Sequence, residues 1–200
     1  AGGGSGVLAT QVRVHCADAA KPHTWWDGEP FGAVILDVPC SGSGIVRTHP
    51  EVKLRHTAAS VAALRQVQLQ LLRGIWPLLR DGGELLYSTC SVLAEENASV
   101  VQAFAAEAAE AAAGVSLAAL APPQGEGVSC AASAEGITFF PSAIHQGGFV
   151  ALLRKESGAK APTARQRTLP NRGERAARKL DGQPARARVR VRRRKRAART

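Results

Sequence analysis

The stretch from Phe31 to Asp37 is apolar almost throughout, with Ala33, Val34, Ile35 and Leu36 at its centre, and it runs straight into Pro39-Cys-Ser-Gly-Ser-Gly44. An unbroken apolar run of this length suits a strand buried on both faces of a parallel sheet. The tight loop would then sit at the C-terminal end of that strand. This assignment restricts the fold, because parallel neighbours are joined by a long crossover, usually a helix.

A matching crossover follows. Val61, Leu64, Leu69, Leu71, Leu72, Ile75 and Trp76 give residues 58–76 a broad apolar helical face. Pro77 and a turn at Asp81-Gly-Gly83 come next, and Glu84 to Ser88 reads as a strand leading into Thr89-Cys90-Ser91. A second helix is expected over residues 93–113, with Glu95 and Glu96 in its first turn, where the dipole favours acids. Upstream, Val12 to Cys16 alternates like a short strand ending at Asp18, and residues 20–30 are loop. Downstream, residues 121–136 are loop, and Ile137–Phe140 and Phe149–Leu153 form a strand pair joined over Gly147 and Gly148. The order predicts an α/β sandwich on a mainly parallel sheet.

Charge divides the chain. Residues 1–159 hold 10 Lys and Arg against 14 Asp and Glu, whereas residues 160–200 hold 16 against 2. The basic stretch from Arg186 to Arg196 repels itself and lacks apolar periodicity, so residues 157–200 are expected to be disordered when free. Such a tail serves as a solubilising extension, as a phosphate-binding arm acting by counterion release, or as a nuclear or nucleolar targeting signal. Residues 1–11, opening on Ala1-Gly-Gly-Gly-Ser-Gly6, are expected to be a flexible lead-in, and the chain holds no Met. Cys16, Cys40, Cys90 and Cys130 form no close pair, which argues against zinc and against a disulfide framework. No stretch has the length and apolarity of a membrane span, and no secretory signal is legible.

In open α/β sheets ligands gather at the C-terminal ends of strands. Asp37 and Cys40 fall at one such end and Cys90 at the other, so both cysteines are expected to face one crevice. Cys90 precedes a predicted helix, whose N-terminus would favour a thiolate.

The residues Asp37-Val-Pro-Cys-Ser-Gly-Ser-Gly44, Arg47-Thr-His-Pro-Glu-Val-Lys53, Gln66-x-Gln68, Asp81 to Ser91 and Glu95-Glu-Asn97 together resemble the Sun family of RNA 5-methylcytosine methyltransferases, and within it the RsmB type that acts on small-subunit ribosomal RNA. The resemblance covers about residues 12–155. It implies a Rossmann-like S-adenosylmethionine-dependent methyltransferase fold, with residues 12–156 as the C-terminal part of the catalytic domain. Cytosine carbon 5 is a weak nucleophile until a thiolate adds to carbon 6. The resemblance implies that Cys90 makes this attack, that Cys40 assists product release, and that Asp37 lies between cofactor and base. Asp18 is implied to contact the adenine side of S-adenosylmethionine. RNA is the implied partner, ribosomal RNA above transfer RNA, with no metal and no membrane. A cytoplasmic location is expected, with nucleolar or organellar ones as alternatives.

Two departures from the family are visible. Gly147-Gly148-Phe149-Val150 stands where it often reads Asp-Gly-Phe-Phe. The Gly-rich cofactor loop and ribose-binding acid, placed upstream of the segment matching residues 12–18, are not legible, so the fold is expected to be incomplete in its N-terminal half and cofactor binding poor. In the resembled fold two further strands separate the one matching 12–16 from the one matching 33–37. The competing reading is a non-catalytic RNA-binding protein that uses its basic tail. A cysteine hydrolase is disfavoured, because no His stands in a sensible relation to either motif cysteine.

Overall fold

The computed structural model describes residues 14–111, 113–158 and 188–192. The lead-in over residues 1–11 and most of the basic tail lie outside the described residues.

β1 (Phe31–Asp37) and β2 (Leu79–Thr89) run parallel, in register from Ala33 opposite Glu84 to Asp37 opposite Ser88. Their crossover carries the short α1 (Val52–Arg55) and the long α2 (Ala58–Ile75). Thr57 and Ser60 close a reciprocal cap at the start of α2: Thr57 Oγ1 accepts from the Ser60 N–H, and Ser60 Oγ accepts from the Thr57 N–H. Pro77, which cannot extend a helix, lies in a 3-10 turn at its end. α3 (Ala98–Glu110) follows β2, and then come β3 (Val115–Ala118), β4 (Cys130–Ala132), β5 (Ile137–Phe139) and β6 (Gly148–Lys155). β7 (Arg188–Arg192) pairs antiparallel with β1. The sheet runs β4-β5-β6-β2-β1-β7, with β3 also on β6.

Packing follows the α2 pattern. Leu69, Leu72, Ile75 and Trp76 meet Val34 and Leu36 of β1, Leu85 and Tyr87 of β2, and Val100, Val101 and Phe104 of α3 in one core. Trp76 meets Phe104 edge-on at 5.5 Å, and Tyr87 meets Phe149 likewise at 6.3 Å. Arg73 of α2 holds Glu107 of α3 through a two-pronged contact at 2.6 and 2.7 Å.

Several expectations are corrected. The sheet is not mainly parallel: β1 and β2 are the parallel pair among the described strands, and the other pairings are antiparallel. The helical crossover reverses direction twice between β1 and β2, whereas the short β5–β6 connection turns the chain back on its neighbour. β1 is also not buried on both faces. Val34 and Leu36 are covered by the helices, while Ile35 between them is 41% exposed. Of the strand expected over Val12–Cys16, Val12 and Arg13 lie outside the described residues, and Val14 to Cys16 form no strand; Val14 is 90% exposed and pairs with no strand among the described residues.

The turn at Asp81-Gly-Gly83 lies inside β2 as a bulge, where three extra residues separate the pairings Phe31–Leu79 and Ala33–Glu84. The helix expected from residue 93 begins only at Ala98, after a 3-10 turn over Ala94–Glu96. β3 falls in residues 114–120, for which no element was expected, and β4 falls in the loop expected over residues 121–136. Arg188–Arg192, within the segment expected to lack order, pair with β1 from Asp37 to Ala33.

Candidate active site at the β1 and β2 ends

Parallel register brings the two motif loops together. Ladder pairing continues past β1, with the Val38 N–H donating to Ser88 O, and Asp37 accepts from Ser88 Oγ at 3.2 Å. One step further, Cys40 Sγ and Cys90 Sγ lie 3.1 Å apart across fifty sequence positions. Both cysteines are half-buried free thiols. The two strand ends thus bring Cys40 and Cys90 together, with the Asp37 carboxylate near enough to act on Cys90 through space.

The loop after β1 is held by backbone from two sides. Gly42 turns it with φ +72°, a left-handed conformation that glycine adopts without a Cβ clash. The Gly44 N–H donates to Cys90 O at 2.9 Å, and the Gly147 N–H donates to Gly44 O at 2.8 Å. A Cβ on Gly44 would stand within van der Waals overlap of both Gly147 O and Cys90 O. A Cβ on Gly148 would likewise meet Thr89 O. The Gly147-Gly148 pair therefore permits a close backbone approach.

Beneath the sulfurs lies a buried polar network that sequence reasoning did not assign. Glu96 is fully buried and accepts from the Ser41 N–H at 2.8 Å, from Ser41 Oγ at 2.6 Å and from Gln68 Nε2 at 3.2 Å. Gln68 Nε2 also donates to Pro39 O at 2.9 Å. The hydroxyl of Tyr87 donates to Glu96 O at 2.7 Å, tying β2 to the same residue. On the Cys90 side, Asn97 bridges Ser91 O and Thr89 Oγ1, and Ser91 Oγ meets Ser43 Oγ at 2.9 Å. A buried carboxylate needs such partners. One signal was available: Gln68 is a polar residue among the apolar positions of α2, next to Leu69.

The Cys40 thiol, donating to Cys90, favours the Cys90 thiolate and lowers its pKa, against opposing pushes from burial and the Asp37 carboxylate. Cys40 is raised, by that same hydrogen bond first and burial second. Of the pair, Cys90 is the thiol that ionises more readily and Cys40 the one that holds its proton. The cause expected from sequence is replaced: α3 starts eight positions after Cys90, and a neighbouring thiol rather than a helix end does the work. Burial also raises the Tyr87 phenol, keeping it a hydrogen-bond donor.

Asp18 lies in the turn that precedes Pro22. Its carboxylate accepts from the Ala20 N–H at 3.0 Å and pairs with Lys21 at 3.8 Å, and its carbonyl accepts from Trp25 Nε1. The carboxylate is thus engaged in its own turn, and no described contact links it to Asp37. Trp25 stacks near Phe31 at 6.4 Å and packs on the core, as does Trp26. Arg47 donates to Ala143 O at 2.9 Å. Among the described residues no cluster of three His, Cys, Asp or Glu suits a metal ion, and no helix is long and apolar enough to cross a membrane.

For a bound S-adenosylmethionine the fit of these residues is partial. Asp37 offers an accessible carboxylate beside the sulfurs. Asp18 offers one that is half-exposed and pairs with Lys21 at 3.8 Å.

Comparison with known proteins agrees with this geometry. The family described as 16S rRNA methyltransferase RsmB/F matches residues 5–154. Ribosomal RNA small subunit methyltransferase B of Xanthomonas campestris is 44% identical over 146 residues, 73% of this chain and 32% of that protein. The protein of the same name from Pseudomonas putida is 46% identical over 99 residues, covering 50% and 23%. The chain thus spans about a third or less of the length of these relatives. Among solved structures, NSun6 from Pyrococcus horikoshii with SFG superposes with a TM-score of 0.54 at 26% identity, over 70% of this chain and 33% of that one. PH0851 gives a TM-score of 0.53 at 30% identity, over 62% and 26%. With the paired sulfurs at its strand ends and a family match over three quarters of its length, the chain belongs to the 16S rRNA methyltransferase RsmB/F family.

Proposed function

We propose that this chain carries the reacting groups for methylation of cytosine carbon 5 in RNA, with 16S ribosomal RNA as substrate and a cytoplasmic site of action. The observation that carries this reading is the 3.1 Å approach of Cys40 and Cys90, with Cys90 favoured as the thiolate. The Cys90 thiolate adds to carbon 6 of the ring, and the electron pair displaced from the 5,6 double bond makes carbon 5 nucleophilic. S-adenosylmethionine supplies an electrophilic methyl group for that carbon. Carbon 5 then loses its proton to a water molecule, and the electron pair left behind restores the 5,6 double bond and expels the Cys90 thiolate. Cys40 assists this release, its thiol lying close enough to donate a hydrogen bond to the departing Cys90 sulfur. Asp37, beside both sulfurs, holds the ring at nitrogen 3 and faces the cofactor. Asp18 contributes at the adenine side only if its pairing with Lys21 opens.

The test is covalent. Cys40→Ala, incubated with 16S ribosomal RNA and S-adenosylmethionine, should accumulate an RNA–protein adduct visible as a shifted band on a denaturing gel. The Cys40→Ala/Cys90→Ala double variant should give none. A band that survives loss of Cys90 would sink the assignment. The second reading, RNA binding through the basic tail without catalysis, predicts no adduct from any variant and binding that weakens steeply with salt.

A further inference from the structure

Between the Pro39–Gly44 loop, α1 and the first turns of α2 lies a cavity of about 480 Å³. This is within the size range of small-ligand sites. Ser41 and Ser43 form the wall it shares with the sulfur site, and Val52, Val61 and Leu93 contribute an apolar floor. The shared wall is fixed: Ser41 Oγ is held by Glu96, and Ser43 Oγ accepts from the Val92 N–H.

Lys53 and Arg65 stand at the rim with one acid, Glu95, and the His56 ring, whose Nδ1 lies 3.3 Å from Ser60 Oγ. The two cations differ from Arg73 and Arg154, which are locked in ion pairs with Glu107 and Glu84. Neither Lys53 nor Arg65 has a side-chain hydrogen bond or ion pair among the described residues. Arg65 acts on Glu107 only through space, helping to lower its carboxyl.

An apolar floor flanked by two available cations matches a flat ring joined to a phosphate. Single-stranded nucleic acid offers this pairing at every nucleotide. The cavity adjoins the Cys40 loop, so a strand with one base at Cys90 would pass its neighbouring nucleotide over this rim. We propose that the cavity receives the RNA nucleotide next to the target cytosine, its base on the Val52–Val61–Leu93 floor and its phosphate between Lys53 and Arg65. This proposal rests on the reading of Cys90 given above.

The test is a cross-link map on the full chain. Two hexaribonucleotides carry a central cytidine, with 4-thiouridine on its 5′ side in one and on its 3′ side in the other. Near-ultraviolet irradiation of one of them should attach the RNA within residues 41–65, as read by peptide mass spectrometry. Ala62→Trp, on an exposed position lining the cavity, should cut that yield about tenfold, as expected for loss of one stacked base. Lys53→Ala/Arg65→Ala should cut it too, with an unchanged melting temperature in each variant. Cross-links confined to residues 186–196, or insensitive to Ala62→Trp, would overturn the cavity itself. The Cys40→Ala adduct is read separately, so the cavity can fail while the Cys90 assignment stands.

Discussion

The carboxylate of Glu96 accepts the backbone N–H of Ser41 at 2.8 Å, joining the turn after β2 to the residue that follows Cys40. The same side chain takes Ser41 Oγ and Gln68 Nε2, so one buried acid fixes the loop on which Cys40 sits.

Glu96→Ala should therefore lower stability and loosen the sulfur pair together. Each buried donor left without an acceptor costs about 1–3 kcal/mol, and Ser41 contributes two. Urea unfolding should show a loss of at least about 2 kcal/mol, and thiol-specific alkylation of Cys40 should quicken. Unchanged stability would mean that water replaces the carboxylate.

The alkylation of Cys90 should follow a pH profile displaced to the acid side. An ordinary thiol titrates near 8.5, and the Cys40 donor favours the charged form of Cys90. Lowered pKa means more thiolate at neutral pH, so iodoacetamide modification should reach half its maximal rate below that value. Cys40→Ala removes the donor, and the midpoint should move up. Peptide-resolved mass spectrometry separates Cys90 from the exposed Cys16. A midpoint that moves down in Cys40→Ala would reverse the assignment of donor and acceptor.

Gly44→Ala should destabilise the chain although Gly44 does not need a left-handed backbone. The added methyl would overlap the carbonyl oxygens of Gly147 and Cys90. Overpacking of this kind costs about 1–3 kcal/mol, measurable by chemical denaturation. Gly82→Ala offers a contrast: its Cβ meets nothing within 4 Å, so any cost there comes from its φ of +67° alone.

The two strands bearing the cysteines were legible because each combines an apolar run with a small-residue loop, and the helix between them because seven apolar positions share one face. From these alone Cys40 and Cys90 were expected at one crevice, and 3.1 Å is the outcome. Antiparallel β3 and β4 were not legible: four and three residues, half-exposed, carry too little periodicity to separate from loop. Val14 to Cys16 misled in the opposite sense, since alternation marks a strand only where a neighbour accepts its ladder. Glu96 was expected in the first turn of a helix, but it lies in a 3-10 turn over Ala94–Glu96 and is buried.

The antiparallel seating of β7 on β1 has a consequence for how the molecule behaves among its copies. An unpaired strand edge invites aggregation by recruiting a strand from a neighbouring chain. From Ala33 to Asp37 that edge is occupied by Arg188–Arg192, a segment of the chain itself. Arg188–Arg192 thereby take up the N–H and C=O groups that β1 would otherwise offer to a neighbouring chain along this stretch.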